Sequence, residues 1–196
     1  MSEYFFAREC VNSPIYCFPD EHIDSVPLTS FTYPKAPVPL IVEFLPQDDY
    51  EIPDILEMPN FSINKNGFSK LNLNNIFGIN WVDIKLHDKG EHDFLMLQVV
   101  NEIKLIDRSE SKIKRYRKDS DGDEMISGIL NLILDEKLIQ TIPVDRRQIV
   151  VDPGWLKCVF FHKSLVEKIK NSKLVGVEFI PADGYSDSVS YTHLTL

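Results

Sequence analysis

The chain has 196 residues, 43% of them hydrophobic and 26% charged, values that exclude a disordered, collagen-like or coiled-coil protein. That length suits one domain, able to hide roughly 70% of its unfolded surface. A formal charge of −9 argues against nucleic acid as a partner, because that affinity rests on Lys and Arg meeting phosphates, and it suits a basic partner.

No stretch approaches the roughly 20 apolar residues of a membrane span, and Glu3, Arg8 and Glu9 interrupt the apolar core that a secretory signal needs. The expected protein is soluble and cytoplasmic, with no membrane partner. Cys10, Cys17 and Cys158 cannot all pair and form no CxxC, which fits reduced thiols. Cys158, between apolar neighbours, reads as a small core residue.

Residues 1–60 read as a proline-rich extended arm packed on the domain. Nine of the twelve prolines, Pro14 to Pro59, lie there, and each removes a backbone donor and fixes φ. Long helices are excluded, and β-favouring pieces at 15–18 and 38–44 predict edge strands. Residues 61–186 read as an α+β domain, mainly an antiparallel twisted sheet with a few short helices. Leu95, Leu97 and Val99, running on through Ile103, Leu105 and Asp107, suggest a strand or a long bent strand, and 129–134 and 148–151 suggest two more. Ser164 is the expected N-cap of a helix carrying Leu165, Val166, Ile169, Leu174 and Val175. Gly176 ends that helix, and Val177, Phe179 and Ile180 form a last strand.

A shift of 98 residues sets Ile63 on Phe161, Lys65 on Lys163, Leu71 on Ile169, Gly78 on Gly176 and Trp81 on Phe179. Two related strand, helix, glycine, strand units would produce this pattern, as would chance similarity of two amphipathic segments. The first helix should be short, since Asn64, Asn66, Gly67 and Asn72 are poor helix formers. Residues 187–196 break the texture. Their SVSYTHLTL resembles translated read-through of a sequencing adaptor, so Ser188 to Leu196 are either non-native or a frayed tail.

The chemistry-bearing motifs are few. Asp119, Asp121, Asp123 and Glu124 alternate like a calcium loop, yet the sixth position is Glu124 where glycine is needed and the twelfth is Leu130 where Glu is needed. A solvated turn bent at Gly122 is the better reading. The basic run Lys112, Lys114, Arg115, Arg117 and Lys118, with Tyr116 inside it, reads as a charged exposed hairpin or loop. His87 and His92 flank the turn HDKGEH without a third metal ligand, His22 stands alone, and His162 suits a structural hydrogen bond. No GxSxG, GxxxxGKS or GxGxxG occurs. The sequence assigns no catalytic residue, cofactor or metal.

Three blocks carry a resemblance: HDFLMLQVVNEIKLIDRSES (92–111), LILDEKLIQTIPVDRRQIVVD (132–152) and VFFHKSLVEKIKNSKLVGVEFIPADGY (159–185). They resemble the bacterial immunity protein eleven family, single-domain neutralisers of polymorphic toxins. The matching positions are Asn101 and Asp107 with Ser109 or Ser111, then Leu134, Asp135, Arg146 or Arg147 and Ile149. The last block contributes His162, Ser164, Gly176, Glu178, Phe179, Ile180 and Pro181. The resemblance implies a fold rather than a site, and a non-enzyme that binds a cognate toxin domain stoichiometrically, as a monomer or weak homo-oligomer. Asp119, Asp121, Asp123 and Glu124 are the expected toxin-binding patch, because partner choice is often written on variable loops. The alternatives are an enzyme with a carboxylate or His87/His92 site, and a general protein-interaction domain.

Overall fold

Alternation of apolar side chains along extended segments sets this architecture. The computed structural model describes residues 2–46, 49–118, 122 and 124–187. In chain order the elements are β1 (Tyr4–Glu9), β2 (Ile15–Cys17), β3 (Val38–Phe44), β4 (Ile55–Leu56), β5 (Ser62–Asn64), α1 (Lys65–Leu71), β6 (Ile79–His87) and β7 (Glu91–Val99). There follow β8 (Lys112–Lys118), β9 (Glu124–Asn131), α2 (Glu136–Thr141), β10 (Ile149–Asp152), β11 (Trp155–His162), α3 (Lys163–Asn171) and β12 (Val177–Pro181). One sheet has the order β10-β11-β1-β12, a second β2-β3-β6-β7-β5-β4, and β8 pairs with β9. The fold is α+β, and its sheet pairing is mixed because β3 and β6 run parallel while the other named pairs are antiparallel.

Successive strand residues point to opposite faces, so the sequence assigns them to different cores. Ile149, Val151, Phe161 and Phe179 face α1, α3 and the second sheet, where they meet Ile63, Leu97, Leu165 and Ile169. Their neighbours Val150 and Phe160 face the other way, with Tyr4, Phe6, Trp155, Ile126 and Ile129. The first sheet is therefore buried on both faces, which its near-continuous apolar strands require. On β6, Val82, Ile84 and Leu86 join Phe94 and Met96 of β7 in a third cluster with Tyr16, Val38 and Leu40.

Residues 1–60 are not uniform. β1 precedes the first proline and keeps every backbone donor, so it pairs on both sides, with β11 and β12. β2 lies at the edge of the second sheet. Pro39 sits in β3 where only β6 is alongside, since β2 pairs with residues 41–44; a missing donor costs no ladder bond on an open side.

The path from β5 through α1 to β6 leaves both strands antiparallel to β7 between them. The path from β11 through α3 to β12 does the same around β1. Each return strand comes after a glycine at positive φ, +68° at Gly78 and +126° at Gly176. At Gly176 a Cβ would lie 2.0 Å from the Ile55 carbonyl oxygen, so only glycine fits there.

Several predicted boundaries move. β7 stops at Val99, and residues 103–107 continue as a loop with a bridge from Ile106 to Leu134, not as a bent strand. The N-cap of α3 is His162, whose ring accepts from the Ser164 N–H, and Ser164 lies in the first turn. The helix ends at Asn171, since Lys173 takes a φ of 61°, so Leu174 and Val175 belong to the connection.

Candidate functional site

The groups with catalytic potential are held by the fold itself. Arg147 is buried, donating to Glu3 Oε1 at 2.7 Å and to the Ile142 carbonyl at 2.8 Å. Glu3 Oε1 also lies 3.1 Å from His162 Nε2, and Ser164 Oγ lies 2.8 Å from His162 Nδ1. The sequence of carboxylate, imidazole and hydroxyl resembles a nucleophile triad, but Nδ1 is already the acceptor that caps α3. Burial pushes the imidazole below its ordinary pKa despite the Glu3 hydrogen bond. A neutral His162 is therefore a cap that ties α3 to the chain start. Glu3 is held below the ordinary carboxylate range, its burial outweighed by the hydrogen bonds and charges of Arg147 and His162.

The turn histidines do not converge. His87 pairs across the hairpin with Glu91 while Leu86 pairs with His92, so adjacent pairs put the imidazoles on opposite faces. His92 Nε2 lies 3.1 Å from the Asp88 carbonyl, and Asp88 accepts from Tyr16 and Tyr50 hydroxyls, both at 2.8 Å. Burial and the Asp88 carboxylate raise both tyrosine pKa values. His22 Nδ1 lies 3.3 Å from Ser25 Oγ. Among the described residues, no group of three or more His, Cys, Asp or Glu could hold a metal ion, and no helix is long and apolar enough to cross a membrane.

A carboxylate pair that the sequence does not reveal lies between the sheets. Glu9, at the end of β1, accepts from the Met58 N–H at 3.3 Å, which brings it beside Glu57. Desolvation, then the Glu9 charge, pushes Glu57 up to about 7, and burial raises Glu9 as well. Glu57 lines a cleft of about 70 Å³ with Phe6, Phe61, Cys158 and Phe161. Ligand pockets run roughly 300–1,000 Å³, so this cleft admits nothing larger than a few atoms. Sequence spacing cannot find the pair, because it forms only when β1 and the β4–β5 connection meet.

The surface offers more. Phe77 is 47% exposed, and Val100 and Val144 are each 41% exposed. Arg146 stacks over the Phe77 ring at 4.4 Å. Val100 N–H bonds to Gly78 O, and Asn101 Nδ2 bonds to Arg146 O, so the segments that carry these exposed residues are neighbours, around the pairing of an aromatic ring with a guanidinium. That is the composition of an interface anchor.

The predicted acidic patch is only partly visible. Asp119, Asp121 and Asp123 lie outside the described residues; Glu124 opens β9, is exposed, and stands opposite Lys118. The basic run forms β8, an exposed strand of a hairpin. Most positions carrying the family resemblance hold structure. Asp107 accepts from Ser109 and Glu110 backbone, Asp135 caps α2, and Asn101 bonds the Arg146 and Ile149 carbonyls. No family profile matches the chain, and no curated protein matches it.

Proposed function

We propose that this chain is an immunity protein that neutralises a cognate bacterial polymorphic toxin in the cytoplasm by stoichiometric contact. The observation that carries the binding half is the division of labour between interior and surface. Arg147, His162, Asp88 and Asn101 are committed to internal hydrogen bonds, whereas Phe77, Arg146 and the cations of β8 face solvent. The toxin half rests on the three sequence blocks alone. Phe77 with Arg146 is the proposed anchor, and Asp119, Asp121, Asp123 and Glu124 remain the proposed rim for a basic toxin surface.

We also infer that the two strand, helix, strand paths are related copies. Their support is the ungapped shift of 98 residues together with the shared placement of a foreign strand between the two ends.

The test is co-expression with the C-terminal domain encoded by the adjacent open reading frame. Restored growth and co-purification support the reading; a toxic neighbour that is neither neutralised nor co-purified defeats it. A second reading, an enzyme, is favoured only by the Glu9–Glu57 pair, one member of which sits near neutrality as general acids do. Glu57→Gln would abolish that activity while leaving toxin neutralisation intact.

A further inference from the structure

β8 gathers five of the chain's 21 Lys and Arg residues into seven positions without one acidic residue. Lys112, Lys114, Arg115, Arg117 and Lys118 are all exposed, and none forms an ion pair with a described residue. On a protein of net charge −9 this is a strong local reversal of sign. The four carboxylates next in sequence, at 119–124, do not cancel it along the whole strand. At about 3.3 Å per residue Lys112 lies roughly 20 Å from Lys118, more than the ~8 Å screening length of physiological salt.

The strand is also a sheet edge. β9 is covered by the body of the protein, with Ile126 and Ile129 in a buried cluster and Ile126 N–H bonded to Gly154 O. Among the described residues β8 pairs with β9 alone, so about half of its backbone groups have no ladder partner among them and face outward. Pairing with the β8 of a second copy would oppose like charges, which is unfavourable.

Resting on the reading that the chain works by binding a protein, we infer that β8 docks an acidic extended segment of its partner by adding a strand to the β8–β9 hairpin. Charge complementarity selects the occupant, and the open edge supplies the backbone bonds. A polyanion such as single-stranded nucleic acid fits less well. It cannot use the outward N–H and C=O groups as a ladder, and the acidic remainder of the molecule repels it, whereas a protein segment can confine its acidity to the contact.

The probe is a fluorescein-labelled twelve-residue peptide of alternating Glu and Thr, titrated into the full chain by anisotropy at low and physiological salt. Its controls are the same peptide N-methylated at alternate residues, a Lys/Thr counterpart, and a twelve-nucleotide oligo-dT. The expected result is binding of the Glu/Thr peptide that weakens with salt, falls at least tenfold on N-methylation, and falls at least tenfold in R115E/R117E. Amide resonances of 112–118 should shift. A K112Q/K114Q pair, with a smaller but clear loss, serves if charge reversal impairs folding. Equal binding of the N-methylated or Lys/Thr peptide, tighter binding of oligo-dT, or no binding would overturn the inference. No toxin enters this titration, so its failure leaves neutralisation standing, and a failed growth rescue leaves the β8 result standing.

Discussion

At the scale of single residues, the fold spends its ionisable groups on cohesion. Removing Glu3 leaves the buried Arg147 guanidinium with the Ile142 carbonyl and the Tyr4 hydroxyl as its hydrogen-bond partners among the described residues. Glu3→Gln should cost about 1–3 kcal/mol in urea unfolding, discounted because Glu3 is partly exposed. Its folded pKa is depressed, so this stabilisation is full above the ordinary 4.5 and disappears as pH falls through the folded value. Glu57 behaves oppositely. Its folded pKa is raised from 4.5 to about 7, so stability is full below 4.5 and is lost as pH rises towards neutrality. Glu57→Gln, which mimics the protonated acid, should match the wild type at pH 4 and exceed it at pH 8 by about 2–3 kcal/mol; a constant difference across that range would refute the assignment. His162 is legible as a hydrogen-bonding residue from its place before a helix. Glu3, Arg147, Glu9 and Glu57 are not legible as partners, because no local pattern encodes a meeting of residues more than forty positions apart.

At the scale of elements, periodicity locates β3, β7, β10, α3 and β12 but misplaces several ends. The apolar content of 103–107 continues past Val99 because Leu105 and Ile106 are buried in a loop, and burial is all that periodicity reports. β1 escapes it because YFFARE is short and lacks turn signals, yet that strand joins the sheet between β11 and β12. α2 is only six residues long, too short for a helical period to register. Gly176 reads as a helix stop; the structure gives it the further task of letting the chain pass the Ile55 carbonyl. Gly176→Ala should therefore destabilise by about 3 kcal/mol or more, and Gly122→Ala less, by about 1–2 kcal/mol, since its φ of +89° strains any side chain but no described residue lies within 4 Å of it. Comparison of their thermal midpoints checks this.

At the scale of the molecule, the acidic chain shows two features of opposite character, the Phe77–Arg146 patch and the basic edge of β8. The sequence identifies the basic run but cannot say that its strand stands at an edge, nor that Phe77 and Arg146 come together from distant segments. Phe77→Ala removes an exposed ring, so it should leave stability within about 0.5 kcal/mol while weakening binding of the proposed toxin partner at least tenfold, as loss of an anchor does. An unchanged dissociation constant would move the anchor elsewhere.

The central claim is that this protein acts by occupancy and not by turnover. Titration of a fixed amount of purified toxin with increasing protein measures that difference. Residual toxin activity should fall linearly to an end point at one equivalent, and a complex of that stoichiometry should elute as a single species. Complete loss of toxin activity at a small fraction of an equivalent, with no lasting complex, would contradict the account.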